Sequence, residues 1–420
     1  MKSFFLVFSD SDGKIYTHPY LRMLGASGDD FTLISEEEAV RLPKGSSLFY
    51  LVGRFPVGFN PQTNRTEILT EFDGKAVCAV GAFLIPAYLR LHNPAVFLKK
   101  NIKLPLWAYT ACGFSQGNFY ASAVRIDKRV RQSPRFYDNK KVQKNINQFI
   151  AVAGSNRLYK HLANCAINYN CLAAKNLFLK RWEAPLPTAT SCNARCLGCL
   201  SLQKGGECSS SHQRINFKPS SDEISQVMTN HLKVAKEAIV SFGQGCEGEP
   251  LLESKRIAKA IQKTRSITSR GTINVNTNAS IPSSIKMLCE AGADSFRVSL
   301  SSAQEKFYNL YFRPCSYQFK DVMKSIKVAK KYNKFVSVNL FIFPGISDSE
   351  SEVKALSRLI ADSNIDMIQW RNLNIDPQYY LSNMPYKRLK PMGILPAIKF
   401  ISKKFPHLKH GYFNLPKESL

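Results

Sequence analysis

Residues 272–300 read TINVNTNASIPSSIKMLCEAGADSFRVSL. The β-branched run Thr272 to Thr277, a helical segment opened by proline from Pro282 to Ala291, and a second apolar run from Ser295 to Ser299 form one strand–helix–strand unit. The pattern continues on both sides. Upstream lie a strand from Ala238 to Phe242 and a helix from Leu251 to Thr264. Before them, Ser220 and Glu223 form a capping box that opens a helix running through Ala235, and a short strand ends near Ser191. Downstream, Phe319, Val322, Met323 and Ile326 recur at helical spacing, followed by a strand from Val336 to Phe343, a helix from Glu350 to Ser363 and a sixth strand from Met367 to Arg371. Strand and helix alternating every 30 or so residues predict a parallel sheet. Six such units over 184–380 predict an α/β fold, a partial TIM-like (β/α)6 barrel.

Residues 1–183 differ in texture. Strand-like runs such as Leu48 to Val52 and Ala76 to Val80 are broken by turns at Pro61 and Gly81, and the segment from Asn145 to Arg181 is helical in pattern. This predicts a separate, basic α+β domain with a helical connector that selects the substrate. Ser35 before Glu36-Glu37-Glu38 reads as an N-cap with an acidic first turn. Residues 381–420 predict a basic extension with one helix from about Met392 to Lys404.

With 420 residues, 44% hydrophobic and 21% charged, the chain has material for two or three cored domains and is neither disordered nor disulfide-stapled. No apolar run reaches the roughly 20 residues that a membrane-spanning helix needs, and Phe4-Phe5-Leu6-Val7-Phe8 is shorter than a signal-peptide core. A soluble, cytoplasmic protein without a membrane role is expected. In a reducing compartment its 11 cysteines read first as metal or redox groups.

The formal net charge is +27. Lys99, Lys100, Lys103, Arg125, Lys128, Arg129, Arg131, Arg135, Lys140, Lys141 and Lys144 are opposed within their span only by Asp127 and Asp138. Phe119, Tyr120, Phe136 and Tyr137 lie among them. That mixture suits RNA or another polyanion, and equally a solvated basic face. The tail repeats the bias with Lys387, Arg388, Lys390, Lys399, Lys403, Lys404, Lys409 and Lys417.

Cys192-Asn193-Ala194-Arg195-Cys196-Leu197-Gly198-Cys199 sets three thiols on one loop after the first barrel strand. Three soft ligands converging on one centre leave one position of a four-iron cluster open. A zinc site completed by Cys208 or His212, in a non-catalytic nucleic-acid-binding module, satisfies the same spacing. The stretch nonetheless resembles the radical S-adenosylmethionine (AdoMet) superfamily, as do four later turns, each at the carboxyl end of a strand, where barrels build their sites. Ser241 to Pro250 resembles the family's Gly-Glu-Pro turn. Asn276-Thr277-Asn278-Ala279 resembles its Thr-Asn-Gly turn, with Ala279 for the usual glycine. Ser299-Leu300-Ser301-Ser302 stands where family members contact ribose or the methionine carboxylate, with Arg313 shortly after, and Phe343-Pro344-Gly345 resembles the turn near the adenine. Gly198 departs from the aromatic residue common before the third cysteine.

The resemblance covers residues 188–374. It implies a [4Fe-4S] cluster on Cys192, Cys196 and Cys199, and AdoMet held by Gly248, Glu249, Asn278, Ser299 and Arg313. It also implies a one-electron reductant such as flavodoxin or ferredoxin, and reductive cleavage to a 5′-deoxyadenosyl radical that takes hydrogen from a substrate, RNA or a peptide. The reaction that follows is open. Cys165, Cys171, Cys208 and Cys246 are candidates for an auxiliary cluster, although isolated cysteines mostly pack. Cys246 is alternatively a group near the substrate. Arg371, Asn372 and Asn374 are candidates for holding substrate, and His161 reads as structural.

Overall fold

The computed structural model describes residues 3–99, 102–203, 210–387 and 389–420. Lys100, Cys208 and Arg388, named above, lie outside the described residues. The chain divides into two compact units, one of residues 1–128, 341–357 and 370–406, the other of residues 129–340, 358–369 and 407–420.

The first unit is built on an antiparallel sheet. Phe5–Asp10 is central, pairing with Ile15–Ser27, Cys112–Ser115 and Lys75–Phe83. It turns into Ile15–Ser27 through Asp10, whose carboxylate accepts from the Asp12 and Lys14 amides and the Tyr16 hydroxyl. Side chains from neighbouring strands meet in small buried clusters such as Val7, Val80, Ala82, Cys112 and Ala121. Two buried arginines fasten the later segments to this sheet. Arg54 pairs with Asp376 at 2.5 Å, both side chains 1% exposed. Arg90 donates to the carbonyls of Tyr109 and Leu373, and its amide to Asn372 Oδ1.

The second unit begins with helices α1 (Asn139–Ala153), α2 (Arg157–Ile167) and α3 (Leu172–Phe178). The expected helical connector is thus three helices, separated at Gly154 and Asn170, both in the left-handed region. A seven-stranded parallel sheet follows: β1 (Arg181–Pro185), β2 (Lys236–Phe242), β3 (Thr272–Thr277), β4 (Ser295–Leu300), β5 (Phe335–Ile342), β6 (Met367–Asn372) and β7 (Lys409–Gly411), in that spatial order. Between β1 and β6 run α4 (Ser221–Val234), α5 (Ser254–Arg265), α6 (Pro282–Ala291), α7 (Glu305–Phe312), α8 (Phe319–Lys331) and α9 (Glu350–Ser363). Beyond β6, α10 (Pro377–Ser382) and α11 (Ile394–Lys404) belong to the first unit. This is the partial TIM-like barrel expected, with a separate antiparallel domain.

Two expectations need correction. The first strand ends at Pro185 rather than near Ser191, because Pro187 lacks an N–H and the next two amides, Thr188 and Ala189, donate to the Glu247 carboxylate instead of a ladder. The sheet also carries a seventh strand, too short and polar to read from sequence.

The barrel interior is polar. Ser241 and Asn414 donate to Glu183, Ser295 to Asn274, and Gln369 to Asn414, so polar groups from five strands and the tail satisfy one another. His231 of α4 is 2% exposed, with Nε2 2.7 Å from the Trp182 carbonyl. Burial pulls its pKa down to about 4. As pH falls from 6.5 toward 4, the unfolded chain binds a proton that the folded one refuses, so this contribution to stability is lost over that window. We expect His231→Gln to remove about 2–3 kcal/mol of acid destabilisation between pH 7 and pH 4.5. Urea unfolding of both proteins at the two pH values checks this; identical pH dependence rejects it.

Candidate active site at the carboxyl ends of the parallel strands

The loop after β1 holds Cys192, Cys196 and Cys199, all half-buried. It contains no regular element and is fixed instead by its backbone against the end of α7. The Arg195 amide donates to the Phe312 carbonyl at 3.0 Å, that of Leu197 to Tyr311 at 2.9 Å, and that of Cys315 to Asn193 at 2.9 Å. Arg313 permits this docking by taking a left-handed conformation, φ 46°, that ends α7.

Burial pushes the Cys196 thiol well above its ordinary pKa, and Cys192 and Cys199 push the same way. Cys192 is raised to about 11, by burial and then by Glu249. Cys192 and Cys196, desolvated and set beside other anionic groups, are costly to ionise by themselves. A cationic metal centre reverses that balance, so the donor set fits an iron–sulfur group. Arg214 Nη2 lies 3.7 Å from the Cys199 sulfur, with Nε donating to Ser201 Oγ.

The turn after β2 is organised by Glu247, 4% exposed. Its Oε2 accepts from the Thr188 and Ala189 amides at 2.7 and 2.9 Å, its Oε1 from the Gly243 and Gln244 amides at 2.7 and 2.8 Å. Desolvation raises its pKa and these four N–H groups oppose the rise. Glu247→Gln turns an NH2 toward two backbone donors. We expect a loss of about 3 kcal/mol, read as a lower unfolding midpoint with unchanged slope, together with weaker AdoMet binding. Stability equal to the parent rejects this role.

Two glycines in this turn meet backbone. A Cβ on Gly243, at φ +74°, lies 1.7 Å from the Asn276 carbonyl oxygen, and one on Gly248 lies 1.8 Å from that of Ser191. The Gly248 amide donates to Ala189 and the Glu249 amide to Ser191, joining this turn to the start of the thiol loop. The Glu249 carboxylate accepts from Thr277 Oγ1, the Leu251 amide and the Asn278 amide. Burial lifts its pKa to about 7 against those donors. Asn278 Nδ2 donates to Asn193 Oδ1 at 2.9 Å, and Asn193 Nδ2 to Ser280 Oγ at 2.9 Å. One hydrogen-bonded chain, Glu249–Asn278–Asn193–Ser280, therefore ties the loops after β1, β2 and β3.

Of the other residues singled out by sequence, Ser299 is half-buried in β4 and Arg313 is exposed. Ser301 is buried, and among the described residues its hydroxyl has no hydrogen-bond partner, a spare polar group at the end of β4. Phe343-Pro344-Gly345 belongs to the first unit, where the Gly28 amide donates to Pro344 and a Cβ on Gly345 lies 2.2 Å from the Gly28 nitrogen. Asn372 is committed at both ends, to the Arg90 amide and the Tyr88 carbonyl. Sequence reading assigned no role to Glu247, Asn193 or Ser280. It also missed Tyr308 and Tyr317, whose hydroxyls are 3.0 Å apart and which both interact electrostatically with Cys196. For Tyr308 the signal was the aromatic pattern Phe307, Tyr308, Tyr311, Phe312, a helix face.

Fold and site define a half-barrel with a thiol loop and a carboxylate-anchored turn at its mouth. Residues 186–356 match the radical SAM superfamily model. That segment, about two fifths of the chain, is a radical SAM domain, and such a domain implies a [4Fe-4S] cluster and AdoMet as cofactors. It is 27% identical over 162 residues to an uncharacterized protein of Methanocaldococcus jannaschii, covering 37% of this chain and 56% of that protein. The chain thus spans little more than half of that curated relative. Among solved structures it is similar to anSMEcpe with bound AdoMet (17% identity, 46% of this chain, 49% of that one, TM-score 0.34). It is also similar to methylornithine synthase PylB (14%, 64% and 77%, 0.38) and Streptococcus suis SuiB bound to precursor peptide SuiA (12%, 60% and 52%, 0.40). Among the described residues, no helix is long and apolar enough to cross a membrane.

Proposed function

We propose that Cys192, Cys196 and Cys199 ligate the cluster and that Gly248, Glu249, Asn278, Ser299 and Arg313 hold AdoMet for reductive cleavage, with RNA as the substrate class. The hydrogen-bonded chain from Glu249 through Asn278 to Asn193 carries this reading, because it couples the thiol loop to the turns that would receive the cofactor. Cluster and AdoMet together supply a 5′-deoxyadenosyl radical for hydrogen abstraction. The chain's part is positional. Gly248 lets backbone come close where a side chain would block it. The half-satisfied Oε2 of Glu249 retains acceptor capacity for an ammonium group, and Ser301 offers an unpaired hydroxyl. Ser299 and Arg313, later on the same face, serve the carboxylate or ribose.

The net charge of +27 supports a polyanionic substrate. Part of the basic run is structural: Arg131 is buried and donates to the Asn414 carbonyl, and Arg125 donates to Asp127 and Lys128 carbonyls. Tyr137 is likewise engaged with Asn176. The exposed Arg135, Lys140, Lys141 and Lys144 remain as the phosphate-facing candidates. A one-electron reductant, flavodoxin or ferredoxin, completes the scheme.

Anaerobic reconstitution, dithionite reduction and AdoMet addition test the chemistry. Roughly four irons per chain and formation of 5′-deoxyadenosine are expected; an iron-free protein or an inert cluster overturns it. Binding of single-stranded RNA across a salt series tests the substrate class. Affinity that falls steeply, with a logarithmic slope of about −0.7 per phosphate contacted, supports RNA, and salt-independent or absent binding redirects attention to peptides.

A further inference from the structure

Away from the thiol loop, α2 carries His161 and Cys165 one helical turn apart, on one face. Cys246, in the turn after β2, meets them. The ligand atoms of His161, Cys165 and Cys246 all lie within 4.8 Å of one another, and His161 Nε2 is 3.6 Å from the Cys165 sulfur. Cys165 and Cys246 are buried, and both are free thiols. Two more ligand-type side chains stand close by. Cys171 interacts electrostatically with both sulfurs, and the His212 imidazole with that of Cys165.

These separations select among metal centres. A tetrahedral ion with bonds of about 2.3 Å to sulfur and about 2.0–2.1 Å to nitrogen sets neighbouring S and N ligands about 3.6 Å apart and neighbouring sulfurs about 3.8 Å apart. The His161–Cys165 distance matches the first value. A four-iron cluster interposes its own iron and sulfide atoms between its thiolates and needs them spread more widely. We propose that His161, Cys165 and Cys246, completed by Cys171 or His212, form a second, mononuclear site for a thiophilic tetrahedral ion, Zn²⁺, distinct from the three-cysteine loop.

Binding displaces the thiol protons to solvent and forms Zn–S bonds to Cys165 and Cys246, a Zn–N bond to His161 and a fourth bond to the Cys171 sulfur or a His212 nitrogen, with no change of oxidation state. Its role follows from position. Cys246 is the neighbour of Glu247, whose carboxylate gathers four amides, and the Ile215 amide donates to the Cys246 carbonyl. An ion there clamps α2 to the turn that ends in Gly248 and Glu249, so the helical connector and the cofactor turn are held as one piece. The candidate auxiliary cluster thereby becomes a single-ion staple, and His161, read from sequence as structural, becomes a ligand.

The test uses the full chain with Cys192, Cys196 and Cys199 all changed to alanine, so that its readout does not depend on the proposed radical chemistry. About one Zn²⁺ per chain after dialysis, and intense visible bands of tetrahedral thiolate-bound Co²⁺ on cobalt titration, are expected. Cys165→Ser or Cys246→Ser in that background should weaken Co²⁺ binding at least tenfold. His161→Cys should keep the metal and shift the bands, which preserves the test if a serine variant does not fold. No uptake of Zn²⁺ or Co²⁺ by the folded protein overturns the proposal. So do undiminished binding in Cys165→Ser, bands unmoved in His161→Cys, a Cys165–Cys246 disulfide in place of metal, or roughly four irons with sulfide at this site.

Discussion

Cys196→Ala is expected to reduce bound iron from roughly four atoms per chain to a small fraction and to abolish 5′-deoxyadenosine formation under reducing conditions. Cys196 is the middle thiol of the loop, flanked by Cys192 and Cys199, and interacts electrostatically with both. Two thiolates on a loop that cannot slide do not replace three. The Arg195 and Leu197 amides on either side of Cys196 are fixed to the Phe312 and Tyr311 carbonyls, which holds the backbone in register whatever the side chain. Alanine is also a smaller apolar residue in a half-buried position, so the apoprotein should unfold with little change from the parent. Activity lost with the fold intact is the expected signature. Full iron content and cofactor cleavage in the variant would move the cluster to other cysteines.

Gly248→Ala is expected to be nearly as severe by a different route. The added methyl carbon lies 1.8 Å from the Ser191 carbonyl oxygen and 2.4 Å from its carbon, so the obstacle is backbone and no side chain can swing away. Relief requires the 189–191 strand of chain or the turn itself to move, breaking the Gly248–Ala189 and Glu249–Ser191 hydrogen bonds. Stranding two buried amide pairs costs about 2–6 kcal/mol. AdoMet binding, followed by calorimetry, should disappear, and the unfolding midpoint should fall. Gly245→Ala supplies the contrast three residues earlier, since its methyl meets the Leu200 side chain no closer than 3.4 Å, an ordinary contact. Equal effects of the two substitutions would show that turn geometry is not what Gly248 provides.

The sequence by itself determined the barrel elements and the identity of the thiol loop. Central parallel strands are covered on both faces, so Thr272–Thr277 is buried at every residue and reads as an unbroken run, while Pro282–Ala291 and Glu350–Ser363 carry their own start signals. Spacing within one loop is local information, which is why Cys192, Cys196 and Cys199 could be named at once. The antiparallel unit was legible only as scattered strands, because Phe5–Asp10 finds its partners near residues 17, 78 and 114 and no local pattern encodes those pairings. Only the tertiary structure decided what Glu247 holds, since its donors Thr188 and Ala189 are 59 and 58 residues away. It alone committed Asn372 to the Arg90 and Tyr88 backbone and set His161 and Cys165 against Cys246. Periodicity and spacing record which faces a segment buries. Which distant groups satisfy a buried carboxylate, or meet around an ion, is fixed only when the chain closes on itself.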